Sequence, residues 1–203
     1  DLDGSEETTG RYAIRSAIAT ARRSSSASEK NRYYTEAAQI AEKLAASSPD
    51  FEHDLYAGEA WLGAKQYSKA LSWFNKAKAK QSRNALVHYY IGQSYTSLEQ
   101  YGNALSALQQ ALSYNTDADL RKKIYNQMGF VHEKNRDFMK AKQAYLEAGN
   151  SRQAAAMDDK EAAKAGNLEH ERQCREFKTK IDALALQAEE FEKLGDMESA
   201  KQM

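Results

Sequence analysis

Between Phe51 and Ala118 the apolar positions form one pattern written twice, 34 residues apart. Gly58 recurs as Gly92, Trp61 as Tyr95, Tyr67 as Tyr101 and Ala70 as Ala104. Leu71 then recurs as Leu105, Phe74 as Leu108 and Ala77 as Ala111. Within each copy the apolar residues fall three and four apart, which predicts helices over about 53–65, 68–80, 85–98 and 101–113. A third copy follows after a three-residue insertion: a shift of 37 takes Gly92 to Gly129, Tyr101 to Phe138, Ala104 to Ala141 and Ala111 to Ala148, with His132 in the aromatic slot. The extra residues fall in "SYNTDADLR", where "NTDAD" offers a turn and an N-cap. Self-similarity at such a period marks a helical repeat array, in which each unit buries its apolar face against its neighbours.

The flanks follow the same logic less closely. Residues 1–9 are acidic and lack apolar periodicity, so a mobile tail is expected there. Tyr12, Ile14, Ala17, Ile18 and Ala21 form a narrow helical stripe that ends at the serine-rich turn 24–28. "YYTEAAQIAEKLAASSPD" reads as the second helix of a degenerate unit stopped by Pro49, so residues 10–50 are expected to cap the array. Units at 51–84, 85–118 and 119–150 follow, and 151–203 forms C-terminal helices with part of a further unit. Gly149 and Gly166–Asn167 are expected to break the chain, with a long helix over about 168–194. Along it Cys174, Phe177, Ile181, Leu184, Ala188 and Phe191 are spaced 3, 4, 3, 4, 3, an a/d seam that water cannot leave uncovered. A terminal unit needs a cap, so the 181–194 half is expected to fold back within the monomer, around Phe138 and Tyr145, while 168–180 projects.

The segments "YAGEAWLGAKQYSKALSWFNKA" and "YIGQSYTSLEQYGNALSALQQA" resemble the tetratricopeptide repeat (TPR) family. That family places a small residue late in its first helix, an aromatic three positions on, then Ala, a large apolar residue and Ala along its second. Its terminal proline is replaced by Ser82 and Thr116. The resemblance implies an all-α fold, a right-handed α-solenoid of antiparallel helix hairpins, with the long C-terminal helix appended. It also implies that Gly58, Trp61, Ala70, Phe74, Gly92, Tyr95, Ala104, Leu108, Gly129, Ala141 and Tyr145 pack the units together, the glycines facing the alanines. The first helix of each TPR unit lines a groove that takes peptide segments. Here that stripe is Leu55, Glu59 and Leu62, then Leu86, Tyr89, Gln93 and Thr96, then Lys123, Asn126 and Phe130. Several of these are apolar where an idle solvated face would be polar. The TPR subclass that grips a chaperone tail's carboxylate is excluded. Its Lys and Asn slots on the first inner helix hold Leu55 and Glu59, its later Asn and Arg slots hold Tyr90 and Gln127, and only Lys123 matches.

Composition narrows the function further. Lys plus Arg equals Asp plus Glu, 29 each, with a pI of about 7.1. That balance argues against a nucleic-acid footprint. One cysteine excludes a disulfide framework and a multi-cysteine zinc site. No apolar run reaches the ~20 residues that span a bilayer. The chain opens on Asp1 rather than Met, which a removed leader or a trimmed sequence would explain. His53, His88, His132 and His170 show no local metal-ligand spacing, and Cys174 is expected as a small buried apolar group on the seam. No catalytic, metal or cofactor motif stands out. The expected function is a non-enzymatic module whose groove binds a peptide or partner helix, and the alternative is an assembly protein that self-associates through residues 168–191. The monomer is favoured.

Overall fold

The computed structural model describes the backbone of residues 4–201 and the side chains of residues 5–186. All regular structure among these residues is helical: α1 Gly4–Arg23, α2 Ala27–Ser47, α3 Phe51–Gly63, α4 Tyr67–Lys80, α5 Ala85–Ser97, α6 Tyr101–Tyr114, α7 Ala118–Lys134, α8 Phe138–Glu147 and α9 Ser151–Lys201. The chain divides into two units, Asp1–Ala155 and Ala156–Met203. In the first, each helix from α1 to α8 packs on the one before it, which makes an α-solenoid of antiparallel hairpins. α1, α3, α5 and α7 also touch in succession, so the first helices of the hairpins form one layer.

Three equivalent turns explain the register. Lys65, Glu99 and Arg136 all adopt left-handed backbone conformations, with φ of 59°, 58° and 59°. They lie 34 and 37 residues apart, the same shifts that relate the glycines. In each turn the following N–H, of Gln66, Gln100 or Asp137, donates to the carbonyl of Trp61, Tyr95 or His132 at 2.9 Å. The chain thereby satisfies carbonyls that the ending helix leaves free and reverses direction within a few residues. The three-residue insertion does not lengthen a loop. α7 begins at Ala118, capped by the Asp117 carboxylate, which accepts from the Leu120 N–H at 2.6 Å. Residue 122 would match the start of α5, so the insertion is absorbed as an extra first turn of α7.

The glycines sit at close crossings, but their partners differ from those expected. A Cβ on Gly58 would lie 2.5 Å from the Phe74 ring, one on Gly92 would lie 2.7 Å from Leu108 Cγ, and one on Gly129 would lie 2.7 Å from the Tyr145 ring. Ala70, Ala104 and Ala141 are fully buried, yet the atoms against the glycines belong to the large residue one turn further along. The glycine makes room for a bulky neighbour, and the alanines let the helix axes close. At Gly92 the alanine approaches too, through the Ala104 carbonyl oxygen at 3.4 Å. The core is accordingly rich in alanine, with Ile14, Ile18, Trp61, Phe74, Val87 and Ile91 in one cluster and Leu108, Ile124 and Val131 in another.

Three expectations about the flanks are corrected. Residues 4–9, expected as a mobile tail, are the start of α1, where Glu6 and Glu7 stand at the positive end of the helix. Gly166 and Asn167 do not break the chain: α9 runs through them without interruption. A mid-helix glycine costs only about 1 kcal/mol against alanine, and the alanine-rich, ion-paired flanks outweigh that. Arg172 bonds both Glu169 and Glu176 at 2.7 and 2.8 Å. Gly149 does terminate α8, at φ +76°, with its N–H on the Leu146 carbonyl. On α9, Phe177, Ile181 and Leu184 are 68%, 63% and 64% exposed, and Cys174 is exposed as well. The described part of the seam is therefore exposed, where burial of Cys174 was expected. Ala188, Phe191 and the unit-like segment 194–200 lie outside the residues whose side chains are described.

Candidate functional site

The layer of α3, α5 and α7 carries the expected groove stripe, and the structure brings only part of it together. Leu62, Gln93, Thr96 and Phe130 line a cleft of about 510 Å³ with Gly63, Lys65, Tyr67, Ser97, Glu99, Tyr101, Gln127 and Lys134. The cleft lies where the first helices end and the left-handed turns begin. Phe130 is 41% exposed there, and the Lys134 ammonium stands 5.3 Å from its ring centroid. Gln93 and Gln127 supply amides that are already oriented. The Gln93 side chain donates to the Tyr89 hydroxyl at 2.8 Å, and Gln127 donates to the Thr96 hydroxyl at 3.2 Å. Thr96 is itself buried and donates back to the Gly92 carbonyl, so it anchors Gln127 more than it offers a free hydroxyl. The cleft thus combines an apolar floor with fixed amide groups, which suits a segment carrying both an apolar side chain and backbone to be hydrogen-bonded.

The remaining stripe residues stand elsewhere. Leu55 is half-buried against the first core cluster. Glu59 is engaged by Arg22 of α1, and burial pushes its carboxyl above the usual carboxylate range although Arg22 draws it back. Tyr89 packs against the second cluster, and burial raises its phenol above the ordinary value despite the bond from Gln93. Leu86 and Asn126 are half-buried and Lys123 is exposed, none of them lining the cleft. Asn126 instead accepts from the Asn150 side chain at 3.1 Å. Lys65, Glu99, Gln127 and Lys134 were not foreseen. Following one helical face hides Lys65, Glu99 and Lys134, because they sit at helix ends where the backbone turns, and Gln127 lies inside α7 beside the stripe that was followed. The recurrence of Lys65, Glu99 and Arg136 in register was the signal that could have exposed the turns.

The packing residues form their own framework. Trp61 is buried and donates its indole N–H to Glu42 at 2.7 Å, an acceptor it shares with Trp73 at 3.1 Å. Lys76 lies 3.5 Å from the centroid of the Trp73 ring. Phe74 stacks on Tyr90 at 5.2 Å with an interplanar angle of 11°. Tyr145 is buried and donates to Glu133 at 2.8 Å. Tyr95 is half-buried between the two clusters.

Glu7, Asp50 and His53 bring their ligand atoms within 4.8 Å, a spacing that could hold a cation. Arg11 fills that position. Its guanidinium reaches Glu7, Asp50 and Glu52 at 2.6, 2.7 and 2.6 Å, and its Nε donates to His53 Nε2 at 3.1 Å. His53 is fully buried; with its Nε2 accepting from Arg11, its Nδ1 donates to the Ser48 carbonyl 2.7 Å away. The cluster is a structural tie between α1 and the α2–α3 turn. His88 is buried and its Nε2 lies 2.8 Å from the Ser82 carbonyl, while burial lowers the His132 imidazole below its ordinary value. Among the described residues no nucleophile stands beside an activating base in an enclosed site, and no helix is long and apolar enough to cross a membrane.

Comparison with known proteins agrees with this architecture. Residues 30–111 match the sequence model of a TPR-type repeat family, described as anaphase-promoting complex (cyclosome) subunit 3. No curated protein sequence matches the chain. Among solved structures, a MamA fragment from Desulfovibrio magneticus superposes with a TM-score of 0.56 at 20% identity, over 71% of this chain and 76% of that one. A further MamA crystal structure gives 0.57 at 15% identity, over 79% and 88%. A third gives 0.53 at 19% identity, over 70% and 99%. At these identities the likeness establishes the fold.

Proposed function

The chain is a tetratricopeptide-type repeat protein, and on that premise we propose that it is a non-enzymatic interaction module that holds an extended protein segment in the cleft at the ends of α3, α5 and α7. The observation that carries this reading is the exposed Phe130 beside Leu62 and the amides of Gln93 and Gln127, all on one cleft. An apolar anchor of the bound segment seats against Phe130 and Leu62, and its backbone is met by the two amides. Lys65, Glu99 and Lys134 at the rim select against mismatched charge. Partner affinity is expected at about micromolar, because a short segment buries little surface and must itself be ordered.

The test is selection of short peptides from a display library on the full chain. Phe130→Ala combined with Gln93→Ala should weaken the selected peptides about tenfold or more while melting stays unchanged. A control change at the exposed Tyr12 of α1 should leave binding intact. Peptides that bind the double variant as well as the parent would refute the assignment of this cleft.

A further inference from the structure

The open face of α9 is the feature that the cleft does not use. An isolated helix gains most of its stability by burying an apolar face, yet Phe177, Ile181 and Leu184 stand largely in water. By sequence the seam continues in register at Ala188 and Phe191, within the same helix. Its steps of three and four residues average 3.5, the period that keeps a seam facing another helix as the two supercoil. The chemistry therefore asks for a second helix of matching length and pattern.

We propose that α9 pairs antiparallel with α9 of a second copy of this chain, about a two-fold axis passing between Asp182 and Ala183. The order of side-chain sizes carries the proposal. The a positions are Cys174, Ile181 and Ala188, and the d positions are Phe177, Leu184 and Phe191. A parallel, in-register pair would stack each residue on its own kind, crowding two phenylalanine layers and leaving an alanine layer hollow. Both faults destabilise a packed core. An antiparallel pair sets a against d instead: Cys174 meets the partner's Phe191, Phe177 meets the partner's Ala188, and Ile181 meets the partner's Leu184. Small faces large at both ends, and two branched residues meet at the centre. All three pairings share one midpoint, which two-fold symmetry requires. Flanking charges do not oppose this arrangement along the middle of the seam, where Lys178 falls beside the partner's Ala185 and Lys180 beside the partner's Gln187. The one like-charge pair, Glu171 with the partner's Glu192, falls at the solvated end, where such pairs weigh little.

The pairing does not depend on the cleft and is tested on the full chain. Sedimentation velocity across about 5–200 µM should show a reversible dimer with an affinity in the micromolar range. Ile181→Glu with Leu184→Glu should weaken it about a hundredfold, because each carboxylate would be buried unpaired. Orientation is read by mild oxidation. Two Cys174 residues would lie about 26 Å apart along an antiparallel pair, from 17 residues at 1.5 Å rise. Disulfide formation requires Cα atoms within about 7 Å, so the parent chain should not cross-link. Phe191→Cys should cross-link through Cys174 of one copy and the new thiol of the other. A parent chain that stays monomeric throughout, a dimer that survives the double glutamate change, or a Cys174–Cys174 disulfide each overturns the proposal.

Discussion

Replacing one glycine at a crossing and one glycine in the open isolates the packing constraint that sets the repeat. A Cβ on Gly58 would lie 2.5 Å from two carbons of the Phe74 ring, whereas one on Gly102 of α6 meets nothing within 4 Å. Carbon atoms in contact prefer about 3.5–4.0 Å, so the added methyl at residue 58 is short of space by about 1 Å. The ring has nowhere to retreat: Phe74 is fully buried and stacked on Tyr90. Overpacking of this kind costs about 1–3 kcal/mol. Removing the glycine from a helix returns about 0.5–1 kcal/mol in both variants. Gly58→Ala should therefore destabilise by up to about 2 kcal/mol net, and Gly102→Ala should stabilise by about 0.5–1 kcal/mol. The same chemical change thus moves the urea midpoint in opposite directions, followed by circular dichroism with the slope unchanged. If Gly58→Ala raises the midpoint as Gly102→Ala does, the close crossing does not constrain the repeat and the glycine register loses its physical basis.

The other predictions rest on separate features. Glu99 sits at φ 58°; relief of about 1–2 kcal/mol of strain outweighs about 0.4–1 kcal/mol of added chain entropy, so Glu99→Gly should raise the thermal midpoint slightly, and a lowered midpoint would argue against a strained turn. Gly92→Leu should cost about 1–3 kcal/mol in urea unfolding, since Leu108 and the Ala104 carbonyl already close the space. Burial pushes the Asp50 carboxyl up, but the His53 N–H and the Arg11 guanidinium hold it below its ordinary value of 3.8. Its folded value lies below the unfolded one, so the stabilisation is present above about pH 4 and is lost as pH falls through the folded value. Asp50→Asn should accordingly flatten the acid limb of a melting-temperature profile below that pH, and an unchanged limb would count against the Arg11 tie.

How far the fold was legible follows from which forces are local. Helix spans and hairpins could be read because apolar spacing and the 34-residue echo are properties of neighbouring residues along the chain. The insertion could be located but not its outcome, since nothing local says whether three residues join a loop or a helix; Asp117 capping a longer α7 decides it. The spacing marks the glycines but not which side chain comes nearest to each, because the direction in which Phe74, Leu108 and Tyr145 reach depends on the opposing helix. Breaks at residues 166–167 were overestimated because one glycine's propensity cost is small against an uninterrupted run of good helix formers. The tie of Arg11 to Glu7, Asp50, Glu52 and His53 was invisible, since three of the four partners, Asp50, Glu52 and His53, lie about forty positions away along the chain. For the candidate cleft, the sequence could mark the helical face but not where along that face the surface becomes concave.

The three units also separate what the architecture demands from what it leaves free. Positions that must pack keep their character from unit to unit: Gly58, Gly92 and Gly129 at the crossings, and Ala70, Ala104 and Ala141, all fully buried alanines, on the opposing helices. The left-handed turn is kept at Lys65, Glu99 and Arg136 even though none of these residues is intrinsically suited to it. The turn is therefore imposed by the helices on either side and by the bonds that Gln66, Gln100 and Asp137 donate to the carbonyls of Trp61, Tyr95 and His132, not by the residue that occupies it. On the cleft-side face the same shifts give Glu59, Gln93 and Phe130, then Leu62, Thr96 and Glu133: an acid, an amide and an aromatic in one register, an aliphatic, a hydroxyl and an acid in the next. Part of that diversity follows from local partners, since Glu59 is held by Arg22 and Glu133 accepts from Tyr145, whereas Gln93 and Phe130 line the cleft. The repeating framework holds the helices at fixed spacing, and the non-repeating positions make each stretch of that face chemically distinct.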